Sequence, residues 1–101
     1  MKPFTEKVIQ LIQSIPFGYV ATYGQIAKVA GNARAARQVS WVLHAMSQKH
    51  NLPWHRVINS KGEISLTASE QRELLEMEGI EFTLSGKVKL KDYQWQFAED
   101  E

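Results

Sequence analysis

The sequence has 101 residues, enough for one hydrophobic core, and its 44% hydrophobic and 23% charged content is that of a globular domain, which excludes fibrous and disordered readings. It contains no cysteine, which removes disulfides, thiolate metal sites and thiol nucleophiles together. The net charge of +1 conceals a separation: residues 1–61 carry eight Lys or Arg against the single acid Glu6, a balance of +7, and residues 62–101 carry four against ten acids, a balance of −6.

A first helix is predicted from Thr5 as its cap, with Val8, Ile9, Ile12 and Ile15 at helical spacing and Pro16 as its stop. Thr22-Tyr23-Gly24-Gln25 fits a capping box opening a second, short helix over about Tyr23–Ala30, ended by Gly31 as a left-handed cap. Asn32 is the expected cap of a third helix over about Ala33–Gln48. Its stripe Ala36, Val39, Leu43 and Met46 faces inward, and Arg34, Arg37, Trp41, His44 and Gln48 lie along another face. A short helix, a tight glycine turn and a longer helix with arginines near its start read as a helix-turn-helix.

Further on, Val57-Ile58, the turn Asn59-Ser60-Lys61-Gly62 and Ile64 suggest a small hairpin or wing. Thr67-Ala68-Ser69-Glu70 is a second capping box, opening a fourth helix with Leu74, Leu75 and Met77 that ends at Gly79. Ile80, Phe82 and Leu84, the turn Ser85-Gly86, then Val88 and Leu90 keep a period of two and predict a second hairpin. The expected fold is mainly α with small β hairpins, a winged-helix-like or helix-turn-helix single domain. It covers residues 3–95, and an acidic tail, 96–101, is expected to be unstructured.

The basic half, with all three histidines, suggests a nucleic-acid face; the alternative is that the two halves neutralise each other on folding. Leu52-Pro53-Trp54-His55-Arg56-Val57 is the densest chemical string, readable also as a core tryptophan with a surface histidine and arginine. His44, His50 and His55 stand six and five apart with no His-x-x-x-His pair, so no metal site is expected. No Gly-x-Ser-x-Gly elbow supports a hydrolase. Glu70, Glu73, Glu76, Glu78 and Glu81 read as a solvated helix face, with Glu78 distinguished by its place beside Gly79. No stretch approaches the ~20 apolar residues of a membrane helix, and the N-terminus lacks a signal-peptide core, so a cytoplasmic protein is expected, nucleoid-associated in a bacterium.

Ile15-Pro16-Phe17-Gly18, Thr22-Tyr23-Gly24-Gln25-Ile26-Ala27, Ala35-Ala36-Arg37-Gln38-Val39, Pro53-Trp54-His55-Arg56-Val57 and Glu78-Gly79 occur in one order and at near-family spacing. In this the chain resembles the DNA-binding domain of the O6-alkylguanine-DNA alkyltransferases. Those enzymes carry Pro-Cys-His-Arg-Val, and the cysteine accepts the alkyl group. Trp54 stands in its place here, and the alkyltransferase N-terminal domain is expected to be absent. In both departures the chain is similar to the alkyltransferase-like proteins, over nearly its whole length.

An indole has no polarizable lone pair to accept an alkyl group, and no cysteine elsewhere can replace it. The resemblance therefore implies a non-enzymatic sensor of O6-alkylguanine in double-stranded DNA, without cofactor or membrane partner and monomeric. It would enter the minor groove, flip the damaged nucleotide and flag it for nucleotide excision repair proteins. The implied lesion pocket is Trp54, Tyr23, His55 and Arg56. The implied DNA contacts are Arg37, which fills the gap left by the flipped base, with Arg34, Tyr23, Thr22 and Gln25. Glu78 would bond His55 from behind the pocket wall. After Gly62 the alkyltransferases have a longer glycine-rich loop over the base. The run Glu63 to Ser69 is shorter, which implies a roomier pocket tolerant of bulkier alkyl groups. Two other readings stay open from the residues: a winged-helix transcription regulator reading a defined duplex sequence, and an enzyme with His55 as general base.

Overall fold

The computed structural model describes residues 2–64 and 69–98. Helix α1 spans Pro3–Gln13, starting two residues before the expected Thr5 cap. Pro3 sits in the first turn, where its missing N–H costs nothing, and the Glu6 N–H donates to the Lys2 carbonyl at 3.1 Å. Thr5 is therefore inside the helix. Val8, Ile9, Leu11 and Ile12 form its buried stripe, extended by Ile15.

Strand β1, Ala21–Thr22, runs directly into α2, Tyr23–Val29, through the expected capping box. The Gln25 N–H donates to the Thr22 hydroxyl at 3.1 Å, and the Thr22 N–H donates to the Gln25 side-chain oxygen at the same distance. The helix closes with the Asn32 N–H on the Ala27 carbonyl, 2.9 Å, and the Gly31 N–H on that of Lys28, 3.1 Å.

Helix α3 covers Ala36–Met46 and so begins three residues later than expected. Asn32 does not cap it. Its side-chain oxygen accepts from the Arg34 N–H at 3.1 Å, a local Asx turn that competes with the helix, and leaves Arg34 in the turn. The inward stripe holds, with Val39 and Leu43 buried and Met46 packed against them.

The first expected hairpin does not form among the described residues. Strand β2, Val57–Ile58, pairs instead in parallel with β1, in the register Ala21 to Val57 and Thr22 to Ile58. Parallel strands are buried on both faces, which suits two adjacent apolar residues better than an alternating hairpin does. The side-chain alternation sends Ala21 and Val57 into a core cluster built by α1, α2 and α3. Val20 and Ile58 instead join Leu75, Ile80 and Val88 in a second cluster.

Helix α4, Ser69–Met77, contributes Leu75 to that second cluster. Its expected capping box at Thr67 and Ala68, and most of the shortened loop before it, lie outside the described residues. The second expected hairpin reduces to one antiparallel bridge, Phe82 to Val88, with Leu84 fully exposed at the turn. Leu90 belongs to a short helix, α5, Leu90–Tyr93, rather than to a strand. The chain then returns beside β1: the Val20 N–H donates to the Tyr93 carbonyl at 2.9 Å, and the Trp95 N–H donates to that of Val20 at 2.7 Å. Of the expected tail, Phe97 packs against the first cluster, and 99–101 lie outside the described residues. No helix among the described residues is long and apolar enough to cross a membrane.

Gly62 joins the loop after β2 to the strand-like segment before α5. Its carbonyl accepts from the Val88 N–H at 2.8 Å, and a Cβ there would lie 2.3 Å from the Val88 oxygen, at φ +78°. Gly62→Ala is expected to destabilise by about 2 kcal/mol or more. Gly24→Ala, where a Cβ meets nothing within 4 Å, should leave stability unchanged or raise it by under about 1 kcal/mol. Urea unfolding of both variants checks this.

Candidate nucleic-acid interface

Glu78 caps the end of α4, and its position follows from local sequence. Gly79, at φ +89°, turns the chain out of the helix. The Ile80 N–H then closes on the Leu75 carbonyl at 3.1 Å and the Gly79 N–H on that of Glu76 at 3.0 Å. This aims the Glu78 carboxylate at the 3-10 turn Trp54–Arg56 that precedes β2.

Two segments converge on that carboxylate, whose side chain is 6% exposed. Oε2 lies 2.6 Å from His55 Nε2, and the Arg56 guanidinium donates through Nε at 3.0 Å to both oxygens and through Nη2 at 2.9 Å to Oε2. The Gly18 N–H donates to Oε1 at 2.8 Å. Arg56 also donates through Nη1 to the Ile15 carbonyl at 2.9 Å, fastening the 3-10 turn to the end of α1. Burial alone would raise the Glu78 pKa; the Arg56 bonds, the Gly18 N–H and the His55 contact outweigh it and hold the carboxyl below its ordinary value. From the other side, buried Gln71 on α4 donates at 3.1 Å to the carbonyls of both His55 and Val57.

Braced in this way, the 3-10 turn presents Trp54, half-buried against the first cluster with its ring edge-on to His55 at 6.0 Å. Trp54 and Tyr23 meet across a concavity of about 300 Å3, lined also by Ser40, Leu43, His44 and Ser47. Burial raises the Tyr23 pKa, so its phenol stays protonated and able to donate. Tyr23 also borders a second hollow of about 450 Å3, whose wall includes Ile58, Asn59, Ile64, Gln71 and Lys87.

The structure thus brings Trp54 and Tyr23 together and sets His55 and Arg56 behind them on Glu78. Arg34 and Arg37 are exposed, Arg37 on α3 beside Ser40, Trp41 and His44. Thr22 is buried in its cap. Gln25 is held by the chain end: its amide donates to the Trp95 carbonyl and its oxygen accepts from Gln94 at 2.9 Å. Two supports of the site escape sequence reasoning. Gln71 looks like one more polar residue of an acidic helix, and Gly18 offers only a backbone N–H. The motif around Gly18 is the one available signal. Among the described residues no group of three or more His, Asp or Glu could hold a metal ion.

The family model described as the 6-O-methylguanine DNA methyltransferase DNA binding domain matches residues 3–80. The chain is 46% identical over 97 residues to a DNA base-flipping protein of Escherichia coli, covering 93% of this chain and 75% of that one. It is 40% identical over 104 residues to Alkyltransferase-like protein 1 of Schizosaccharomyces pombe, covering 94% and 96%. In structure it is similar to S. pombe Atl1 in complex with damaged DNA containing O6-carboxymethylguanine, at a TM-score of 0.79 and 38% identity over 95% and 97% of the two chains. A Mycobacterium tuberculosis OGT bound to DNA matches at a TM-score of 0.62 and 31% identity, over 78% of this chain and 50% of that one.

Because the folded Glu78 pKa lies below its unfolded value, the stabilisation is complete above the ordinary 4.5 and is lost as pH falls through the depressed value. Glu78→Gln should cost about 3 kcal/mol at neutral pH, since Arg56 loses its counter-charge in a poorly solvated site. The gap between wild type and variant should narrow on acidification below about 4.5. Urea unfolding across pH measures both effects.

Proposed function

The chain belongs to the family of 6-O-methylguanine DNA methyltransferase DNA-binding domains, and from that premise we propose that it is a non-enzymatic sensor of O6-alkylguanine in duplex DNA. The observation that carries this reading is the indole of Trp54 facing Tyr23 across a hollow, at the place where the resemblance puts the acceptor cysteine. An aromatic wall can hold an extruded alkylated purine and cannot accept its alkyl group.

Arg37, Arg34 and Tyr23 each have a physical role in this reading. The guanidinium of Arg37 is planar and carries five donors, so it can stack in the gap left by the flipped nucleotide and bond its orphaned partner. Arg34 neutralises phosphate, and Tyr23 presses the flanking backbone to assist rotation. In this reading His55 is a positioning residue: its Nε2 bonds Glu78, and the pair holds the turn that carries Trp54. The acidic remainder of the chain would be repelled by a polyanion, which leaves it for the nucleotide excision repair proteins to which a monomeric cytoplasmic sensor would hand the lesion.

Gel-shift titration at fixed salt, with one O6-methylguanine or guanine in several sequence contexts, tests the proposal. Preference for the lesion in every context is expected; preference for one undamaged sequence would make the chain a transcription regulator. Mass spectrometry after incubation should find neither alkylated protein nor an altered base. Arg37→Ala should weaken lesion binding by about 1–3 kcal/mol. Trp54→Ala should reduce lesion preference more than general affinity, because phosphate contacts supply the latter.

A further inference from the structure

We propose that Trp41 is a second DNA-contacting aromatic, a wedge that enters the duplex stack beside the step occupied by Arg37. Trp41 is 67% exposed, although a tryptophan in a small domain ordinarily buries much of its indole. It follows Arg37 by one turn of α3, and the two line a concavity of about 240 Å3 with Ser40 and His44, so guanidinium and indole share one surface. Four residues advance a helix by about 6 Å, and stacked bases lie ~3.4 Å apart, so the two side chains reach steps within about two of each other.

Charge selects the occupant of this face. Residues 7–62 contain no Asp or Glu, and Arg34 and Arg37 stand exposed on the same helix-turn-helix as the ring. An exposed aromatic set among cations and small polar residues fits a polyanion with stacked bases better than it fits a protein interface, whose centre is depleted of charge. Apolar wedges accompanied by arginine are a means by which groove-binding proteins unstack a step and kink the duplex. The two tryptophans would then act on different parts of the DNA. Trp54, half-buried, holds the extruded base, and Trp41 acts on the stack which that base left. This inference rests on the reading of the chain as a binder of alkylated DNA.

The deciding experiment compares wild type, Trp41→Ala and Trp41→Phe on a duplex with one O6-methylguanine and on its guanine counterpart. Affinity is read by titration and bending by energy transfer between end labels. Trp41→Ala should weaken binding to both duplexes about tenfold, leaving the lesion-to-guanine ratio near the wild-type value, and should reduce the bend. Trp41→Phe should restore most of both. Unchanged affinity and bend in Trp41→Ala, with lesion preference present in wild type, would overturn the wedge and leave the sensor reading standing. A wild type that binds neither duplex would overturn both. A concentration-dependent dimer in sedimentation that Trp41→Ala abolishes, with DNA binding intact, would overturn the wedge and assign the face to a second copy of the chain.

Discussion

A poorly solvated carboxylate must find partners or be neutralised, and Glu78 finds them in two separate segments at once. Its oxygens take the Gly18 N–H from the loop after α1 and the side chains of His55 and Arg56 from the 3-10 turn, while its own backbone ends α4. Neither partner segment is held in place by regular structure alone: the loop is irregular, and the turn has three residues and leads into a strand of two. The orientation of Trp54 therefore depends on an ion pair that touches no DNA in the proposed complex. In that arrangement the histidine and the glutamate hold the turn that carries Trp54.

The parallel pair of β1 and β2 has a related role in the core. Two residues per strand provide little hydrogen-bond energy, yet the pair stands between the two hydrophobic clusters and supplies side chains to each. Its register sets Thr22, and hence the capping box and Tyr23, relative to Val57, and hence the turn that carries Trp54. The two walls of the concavity thus come from the two ends of one four-residue pairing. Gln25 and Gln94 extend the clamp to the chain end, so the start of α2 is fixed from both sides.

The charge separation along the chain persists in space on the helix-turn-helix side. Arg34 and Arg37 remain exposed and α3 carries no acid, while the ion pairs Arg72 to Glu76 and Lys87 to Glu63 lie in the acidic half or at its edge. The two halves meet closely at Glu78, where Arg56 is drawn inward. The exposed arginines of the basic half keep their field, which is the requirement for capturing a polyanion at a useful rate.

What could be read from the sequence was local. The capping box at Thr22, the helix ends at Gly31 and Gly79, the inward stripe of α3 and the absence of cysteine each depend on residues within a turn or two of one another, or on composition alone. The misread starts at Thr5 and Asn32 were local competitions too: Pro3 begins a helix better than Thr5 caps one, and an Asx turn satisfies the N–H that a cap would have taken. The first hairpin failed because a short apolar run names a strand and never its partner, and β2 found β1 across the chain, while the second survives as one antiparallel bridge. Gly18 meets Glu78 from 60 positions away, and Gln71 meets Val57 from 14. By itself the sequence determined that the first four α-helices form, where the positive charge lies and that no cysteine is present to accept an alkyl group. Only the tertiary structure decided that Trp54 faces Tyr23 and that His55 and Arg56 are turned to Glu78, because desolvation and packing, which no local pattern encodes, choose those neighbours.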